Sequence, residues 1–63
     1  MKMFLKVNNT YVLNFEIDNS NLTYTGKIIE VDNNFVTFID KFGDTITYAL
    51  STLKSSKEIQ WET

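Results

Sequence analysis

Apolar and polar side chains alternate along most of this chain, and the first clear case lies between residues 11 and 17. Every second residue there is large and apolar: Tyr11, Leu13, Phe15 and Ile17. A period of two is typical of a strand that buries one face and leaves the other face polar. The residues that follow, Asn19 to Asn21, are of types that favour turns. The segment therefore predicts a strand that ends at a turn over residues 19–21.

The next apolar run, Leu22 to Val31, changes phase in the middle. Leu22, Tyr24 and Ile28 share one face of a strand, but Val31 lies three residues beyond Ile28. Gly26 lies within the run, and a glycine together with a phase shift indicates a bend or a β-bulge. Bends of this kind let short sheets curl into barrels. We therefore expect a long second strand that bends near its centre.

Three more strands are predicted after this bend, and each of them is short. The strands are residues 35–40, 45–48 and 52 onward, with connections at residues 32–34, 41–44 and 49–51. Gly43 is expected to supply a positive φ in the second of these connections. Met3, Leu5 and Val7 also alternate, which favours a short extra strand at the start over a helix. The pattern as a whole predicts an all-β fold, a small and strongly bent five-stranded barrel.

Length and composition place the chain among small folded domains that need a partner. With 63 residues it forms a single domain, residues 1–63, which buries too little surface to be very stable alone. It contains no Cys and no His, which excludes disulfides, thiolate metal sites and histidine chemistry. Association with further copies is the expected source of the missing stability. No apolar run approaches the roughly 20 residues of a membrane span, so a cytoplasmic protein without membrane contact is expected.

The charged residues also limit the chemistry that the chain can perform. Six Lys, no Arg and eight acidic residues give a net charge of −2, which argues against strong nonspecific binding of phosphates. The carboxylates are interpreted as solvated surface groups, with Asp32 as the exception. They are Glu16, Asp18, Glu30, Asp32, Asp40, Asp44, Glu58 and Glu62. Ser51 and Thr52 are candidate nucleophiles, but without a histidine base no catalytic triad is possible. We expect no enzyme activity, no cofactor and no metal site.

Two segments carry the spacing of a known family. The first, Leu22 to Asp32, reads LTYTGKIIEVD. It has Tyr24 two residues before Gly26, Ile28 two residues after that glycine, and Asp32 six residues after it. This spacing resembles the first Sm motif, and the following aromatic residue and valine resemble the short loop of Hfq proteins.

The second segment, residues 46–53, reads ITYALSTL. It resembles the second motif of Hfq proteins, in which Ala49, Ser51 and Thr52 match directly. With both segments, residues 11–55 resemble the Sm-like (LSm/Hfq) family. The chain is similar to a short Hfq-like variant of bacterial or phage type.

The resemblance implies an Sm-like barrel, with an SH3-like barrel as the alternative architecture. It also implies a cyclic homo-oligomer of five to seven subunits, in which the fourth strand of one subunit pairs with the fifth strand of the next. Here those strands are residues 45–48 and 52–56. A site for single-stranded U-rich or A/U-rich RNA is expected where two loops meet. Its residues are Asp32, Asn33, Asn34, Phe35, Thr47 and Tyr48.

Each residue of this expected site also has a structural interpretation. Phe35 and Tyr48 are the candidates for stacking on bases, and core packing is the alternative for Phe35. Asn33 and Asn34 either read the edge of a base or serve only as turn residues. Asp32 shapes the RNA loop in the family, and a turn cap is the alternative. The cations expected to meet phosphates are Lys27, Lys41 and Lys54.

The chain also departs from the family in ways that keep other functions open. Thr47 and Tyr48 occupy the positions of Lys and His in Hfq, and the N-terminal helix with its RNA contacts is absent or very short. These departures and the acidic balance favour a second function, a structural or protein-adaptor ring that has lost RNA binding. A monomeric SH3-like module for Pro-rich peptides is the third, and the core alternation of the aromatic residues ranks it last.

Overall fold

The structure of the chain is a computed structural model that describes residues 5–60. Five antiparallel strands form one sheet in the order β4-β3-β2-β1-β5. The strands are β1 (Thr10–Ile17), β2 (Ser20–Val31), β3 (Phe35–Asp40), β4 (Thr45–Ala49) and β5 (Leu53–Ile59). This confirms the predicted all-β class with five strands. The residues described contain no helix with the length and hydrophobicity needed to cross a membrane.

The first hairpin is tighter than the sequence predicted. Only Asp18 and Asn19 lie between β1 and β2, and both have positive φ values, 52° and 66°. Turns of this kind match the twist of a two-stranded ribbon, and Asp and Asn tolerate the left-handed backbone that they require. Ser20 therefore begins β2 and pairs with Ile17, so the predicted turn over residues 19–21 lay one residue too late.

The predicted irregularity in β2 is confirmed as a β-bulge. The register between β2 and β3 shifts between Ile28 and Glu30, which leaves Ile29 as the extra residue. Gly26 lies three residues earlier, where the ring of Phe38 crosses the backbone. A Cβ atom built on Gly26 would lie 2.6 Å from Cδ2 of Phe38 and 3.0 Å from the carbonyl oxygen of Ile39. Gly26 is therefore required for close packing between β2 and β3.

The core includes side chains that the alternation predicted to share a buried face, three of them in β1 and Ile28 in β2. Seven apolar side chains are buried: Tyr11, Leu13, Phe15, Ile28, Val36, Phe38 and Leu53. The rings of Phe15 and Phe38 stack at its centre, 5.8 Å apart and inclined by 10°. Burial of these side chains is the main favourable contribution to folding.

Residues 5–9 do not form the extra strand that the sequence suggested. The backbone turns at Asn8, which has a φ of 77°, and the amide of Asn9 donates to the carbonyl of Lys6 at 3.2 Å. The amide of Asn8 and the carbonyl of Asn9 then bond to Ile28. The predicted strand was wrong for Leu5 and Val7 because this turn interrupts the alternation, and Met3 lies outside the described residues.

The sheet remains open at two edges. β4 pairs only with β3 and β5 pairs only with β1 among the residues described. A short 3₁₀ turn, Leu50–Thr52, connects these two strands. The five predicted strands are therefore confirmed, whereas residues 5–60 do not show the predicted closure into a barrel.

Candidate functional site

Asp32 ends β2 and organises the turn that follows. One carboxylate oxygen, Oδ1, accepts hydrogen bonds from the amides of Asn34 at 2.7 Å and Phe35 at 2.8 Å. The amide of Asp32 in turn donates to the carbonyl oxygen of Phe35 at 3.0 Å. The two amide donors lower the pKa of the Asp32 carboxyl below its ordinary value, since they stabilise the ionised form. Asp32 therefore acts as the cap of this turn, which is the structural role considered for it.

The turn presents an aromatic ring to solvent. Phe35 is 53% exposed, so it does not belong to the core. Asn33 and Asn34 beside it are also exposed. The carbonyl of Asn34 accepts a hydrogen bond from the amide of Leu50 at 2.8 Å, and Phe35 pairs with Ala49 of β4. These contacts attach the turn to the connection between β4 and β5, so the two predicted loops do meet.

Thr47 and Tyr48 lie on opposite faces of β4, because neighbouring residues of a strand point in opposite directions. Thr47 is exposed, and its hydroxyl lies 2.8 Å from the hydroxyl of Thr37. Register pairs Thr47 with Thr37, which is two residues from Phe35, so Thr47 and Phe35 share the outer face. The structure therefore brings Thr47 to the same face as the exposed ring.

Tyr48 belongs to the aromatic cluster on the inner face. Its ring meets the ring of Phe15 edge-on at 4.9 Å, and its hydroxyl lies 2.8 Å from that of Tyr24. The hydrogen bond to Tyr48, followed by burial, raises the pKa of Tyr24 above its ordinary value. Tyr48 is thus half-buried and held on both sides, while Phe35 is the aromatic residue of the predicted site that lies in solvent.

The three lysines expected to meet phosphates are spread over the surface. Lys41 follows β3 and lies at the opposite end of that strand from Phe35. The ammonium group of Lys54 is 4.0 Å from the carboxylate of Glu16, and both side chains are largely exposed. Lys27 is exposed on β2. The residues described therefore offer no concentrated positive patch at the turn of Asp32.

Sequence reasoning missed a second aspartate that organises a turn. Asp40 was interpreted as a solvated surface group, and this was wrong, because only 8% of it is exposed. Its Oδ1 accepts hydrogen bonds from the amides of Phe42 and Asp44, both at 2.9 Å, and so closes the loop between β3 and β4. The signal in the sequence was an aspartate at the end of a strand before a tight loop, as at Asp32.

A shallow groove lies beside this loop, with a volume of about 380 Å³. Its lining residues come from β2, from the end of β3 and from the start of the loop: Thr23, Tyr24, Thr25, Asp40, Lys41 and Phe42. Phe42 is 79% exposed, and Lys41 places its ammonium nitrogen 5.4 Å from the centre of that ring. The groove therefore combines a buried carboxylate with an exposed aromatic ring.

Neither the groove nor the turn of Asp32 resembles a metal centre. Within residues 5–60, no group of three acidic side chains lies close enough together to hold a metal ion. Each of these two regions places an exposed phenylalanine beside a turn that an aspartate closes. Compared with protein-family models, curated proteins and solved structures, the chain has no match.

Proposed function

We propose that this chain is the subunit of an Sm-like homo-oligomeric ring that binds single-stranded U-rich or A/U-rich RNA. The observation that carries the proposal is the exposed ring of Phe35, held on the turn that Asp32 closes. The two motifs around Gly26 and Ala49 supply the resemblance to the Sm-like family. The proposed RNA site comprises Asp32, Asn33, Asn34, Phe35 and Thr47, with Tyr48 beneath them in the core.

The open edges of the sheet support assembly. β4 and β5 each have one side without a strand partner among residues 5–60, and the chain contains no Pro that would blunt them. Unpaired strand edges favour pairing with another chain. Pairing β4 of one subunit with β5 of the next is a heterologous contact, which closes into a ring when the rotation allows it. We propose five to seven subunits, in keeping with the family resemblance.

Stacking on Phe35 is the proposed main contact with RNA. A base that stacks on an aromatic side chain gains about 1–3 kcal/mol, with little dependence on which base it is. The side chains of Asn33 and Asn34, the two residues before Phe35, are exposed, and their amide groups can both donate to and accept from the edge of that base. Each subunit has one such site, and the repetition of the site around the oligomer raises the overall affinity through avidity.

The charge balance makes this binding weak and sensitive to salt. The chain carries a net charge of −2, and Lys41 lies at the far end of β3 from Phe35. Few phosphates are therefore neutralised for each subunit, so the electrostatic contribution to affinity is small.

The second candidate function is a structural or protein-adaptor ring without RNA binding. One observation favours it: Tyr48, one of the two proposed stacking residues, is packed against Phe15 and bonded to Tyr24. Each subunit then offers Phe35 as its aromatic contact, on a protein of negative charge. Assembly is common to both functions, and RNA affinity distinguishes them.

The experiment combines the mass in solution with the affinity for oligo-U, oligo-A and mixed A/U strands at low salt. Light scattering is expected to give a ring of five to seven subunits, and a monomer or a dimer at micromolar concentration would refute the assembly. The variant Phe35→Ala is expected to have the same mass in solution. Its affinity for the RNA strands is expected to fall about fivefold or more, in line with the loss of one stacked base. Phe42→Ala is the matched control, since it removes the other highly exposed phenylalanine. An intact ring without affinity for any of the three strands would refute RNA binding and leave the adaptor function as the proposal.

A further inference from the structure

The groove beside Asp40 exists because β3 is shorter than β2. β3 ends at Asp40, which pairs with Gly26, while β2 reaches back to Ser20. Between Ser20 and Thr25, β2 pairs with β1 on one side and has no strand on the other side within residues 5–60. The backbone of β2 is thus open along this edge, and the loop after β3 forms the opposite wall.

Asp40 supplies a buried negative charge to this groove. Its Oδ1 is occupied by two backbone amides, whereas Oδ2 accepts no hydrogen bond from any group within residues 5–60. In the same part of the chain, every fully buried side-chain oxygen has a hydrogen-bond partner, so Oδ2 must reach solvent through the groove that Asp40 lines. Within residues 5–60, Oδ2 is left without a protein donor, so a cationic group that replaces water in the groove can form a charge-assisted hydrogen bond with it.

Phe42 supplies the second element of recognition. The ring of Phe42 is 79% exposed, so its apolar surface is available to a ligand whose burial against it would be favourable. The ammonium nitrogen of Lys41 lies 5.4 Å from the centre of the ring, within the range of a cation–π contact. Within residues 5–60, Lys41 forms no ion pair with Asp40. The aromatic ring of Phe42 therefore already contacts a cation. The carboxylate of Asp40 lies next to it and is not paired with Lys41.

We propose that the groove binds the guanidinium group of an arginine side chain, presented by an extended segment of a partner protein. A planar guanidinium stacks on the ring of Phe42 and donates in its own plane to Oδ2 of Asp40 and the hydroxyl of Thr25. The chain contains no Arg, so the group must come from another molecule. The inference is independent of the proposed ring and of RNA binding.

Two features favour a protein segment as the source of the arginine. The open backbone edge of β2, between Ser20 and Thr25, offers the hydrogen-bonding groups by which a peptide strand adds to a sheet. The net charge of −2 also attracts a basic segment. An arginine is preferred over a lysine because the fork of donors fits several acceptors at once, whereas an ammonium group is a point charge.

The test measures, by calorimetry, the affinity of the full chain for a peptide of the sequence Thr-Val-Arg-Val-Thr with blocked ends. A second peptide replaces the arginine with citrulline, which keeps the planar shape but has no charge. We expect the arginine peptide to bind at least about tenfold more tightly than the citrulline peptide, as for a charged hydrogen bond. Equal affinity for both peptides would overturn the proposal.

Asp40→Asn tests the carboxylate without dismantling the loop. The asparagine retains an Oδ1 acceptor for the amides of Phe42 and Asp44, but places an NH₂ donor where Oδ2 was. The expected loss of affinity for the arginine peptide is about ten- to hundredfold. Asp44→Asn is the matched control, because it removes the same charge from the same loop outside the groove lining. An equal loss in Asp44→Asn would show attraction by overall charge and overturn the site.

A second variant and a second probe complete the test. Phe42→Ala alters an exposed ring, so the fold is retained, and the expected loss is about two- to fivefold. This variant decides the matter if Asp40→Asn does not fold, and unchanged affinity in it would contradict the proposal. A single arginine with both ends blocked distinguishes a protein segment from a small molecule as the source of the guanidinium group. If it binds as tightly as the peptide, a small molecule and not a protein segment occupies the groove.

Discussion

Replacing Gly26 with alanine is expected to destabilise the protein, although alanine normally suits a strand better than glycine. Glycine in the middle of a strand costs about 0.5–1 kcal/mol relative to alanine, so the substitution has a favourable part. The added methyl group, however, would lie 2.6 Å from Cδ2 of Phe38 and 3.0 Å from the carbonyl oxygen of Ile39. The outcome depends on whether these two neighbours can move.

Neither neighbour is free to move. Phe38 is fully buried and its ring stacks on Phe15 at 5.8 Å, so a shift of Phe38 disturbs the centre of the core. The carbonyl of Ile39 belongs to the paired backbone of β3. Overpacking of this kind costs up to about 3 kcal/mol, which leaves a net loss of about 2 kcal/mol after the strand preference of alanine is subtracted. A chain of 63 residues has a total stability of only about 3–9 kcal/mol, so the loss is a large part of it.

The assay is urea denaturation followed by circular dichroism at a fixed protein concentration, because any assembly makes stability depend on concentration. Gly43→Asn is the control, since Gly43 has open space around it and asparagine tolerates its φ of 88°. Gly26→Ala combined with Phe38→Leu is expected to lose about 1 kcal/mol less than the sum of the single variants, because the δ methyl groups of leucine are not held in a rigid ring and can turn away from the added methyl group. A loss below about 0.5 kcal/mol in Gly26→Ala, or additive losses in the pair, would refute the packing argument.

Two further predictions follow from the hydroxyl pair and the turn of Asp32. Tyr48→Phe is expected to lower the pKa of Tyr24 towards its ordinary value of 10.0, because the bond to Tyr48 is the main cause of the raised pKa, and titration of tyrosinate absorbance measures this. With the pair intact, the contribution of Tyr24 to stability is fully present below pH 10.0 and is lost as the pH rises through its raised pKa, so alkaline unfolding should begin at a lower pH than in Tyr24→Phe. Asp32 behaves in the opposite sense, because its pKa is lowered in the folded protein. Its ionised carboxylate contributes fully to stability above pH 3.8, and this contribution is lost as the pH falls through the pKa of Asp32 in the folded state. The amide NMR signals of Asn34 and Phe35 should move over that same acidic range, and signals that stay fixed would contradict the hydrogen bonds to Asp32.

The strands were predictable because the alternation in this chain is long and regular. Four residues of β1 alternate without interruption from Tyr11 to Ile17, and Tyr11, Leu13 and Phe15 are buried. The first and last residues of each strand were less predictable, since they depend on the backbone angles of single residues. The first turn lies at Asp18 and Asn19 because both adopt positive φ, a choice that the polar stretch did not reveal.

The same regularity is misleading at the start of the chain. Leu5 and Val7 alternate like strand residues, but two side chains are too few to distinguish a strand from a turn. The positive φ of Asn8 redirects the backbone, and its amide then bonds to Ile28 of β2. A tertiary contact therefore determined the conformation of this segment.

The orientation of the site residues was present in the sequence but was not used. In β4, Thr45, Ile46, Thr47 and Tyr48 alternate polar and apolar, which by the argument applied to β1 turns Tyr48 inward with Ile46. The structure has that phase, with Tyr48 against Phe15. The exposure of Phe35 was harder to foresee, because its face depends on how the turn after Asp32 sets the register with Ala49.

The two ends of β3 are built alike, and their difference lies in what surrounds each aspartate. Asp32 and Asp40 each use Oδ1 to accept two backbone amides, and each precedes an exposed phenylalanine. Asp32 is exposed to water, so its charge is screened. The main feature that this turn offers to a ligand is therefore the exposed ring of Phe35. Asp40 is buried opposite Gly26, so its charge acts locally on whatever enters the groove.

This difference is the reason why we propose different ligands for the two aromatic rings. The six residues of β3 separate the two turns by about 17 Å, at about 3.4 Å per residue. That distance is about twice the screening length of about 8 Å at physiological salt, so the charge of Asp40 acts only weakly on a nucleic acid at Phe35. Near Phe42, in contrast, the same charge disfavours a phosphate and favours a cation. Phe35→Ala should therefore weaken RNA binding alone and Phe42→Ala should weaken arginine binding alone, and loss of both by either variant would contradict the separation of the two sites.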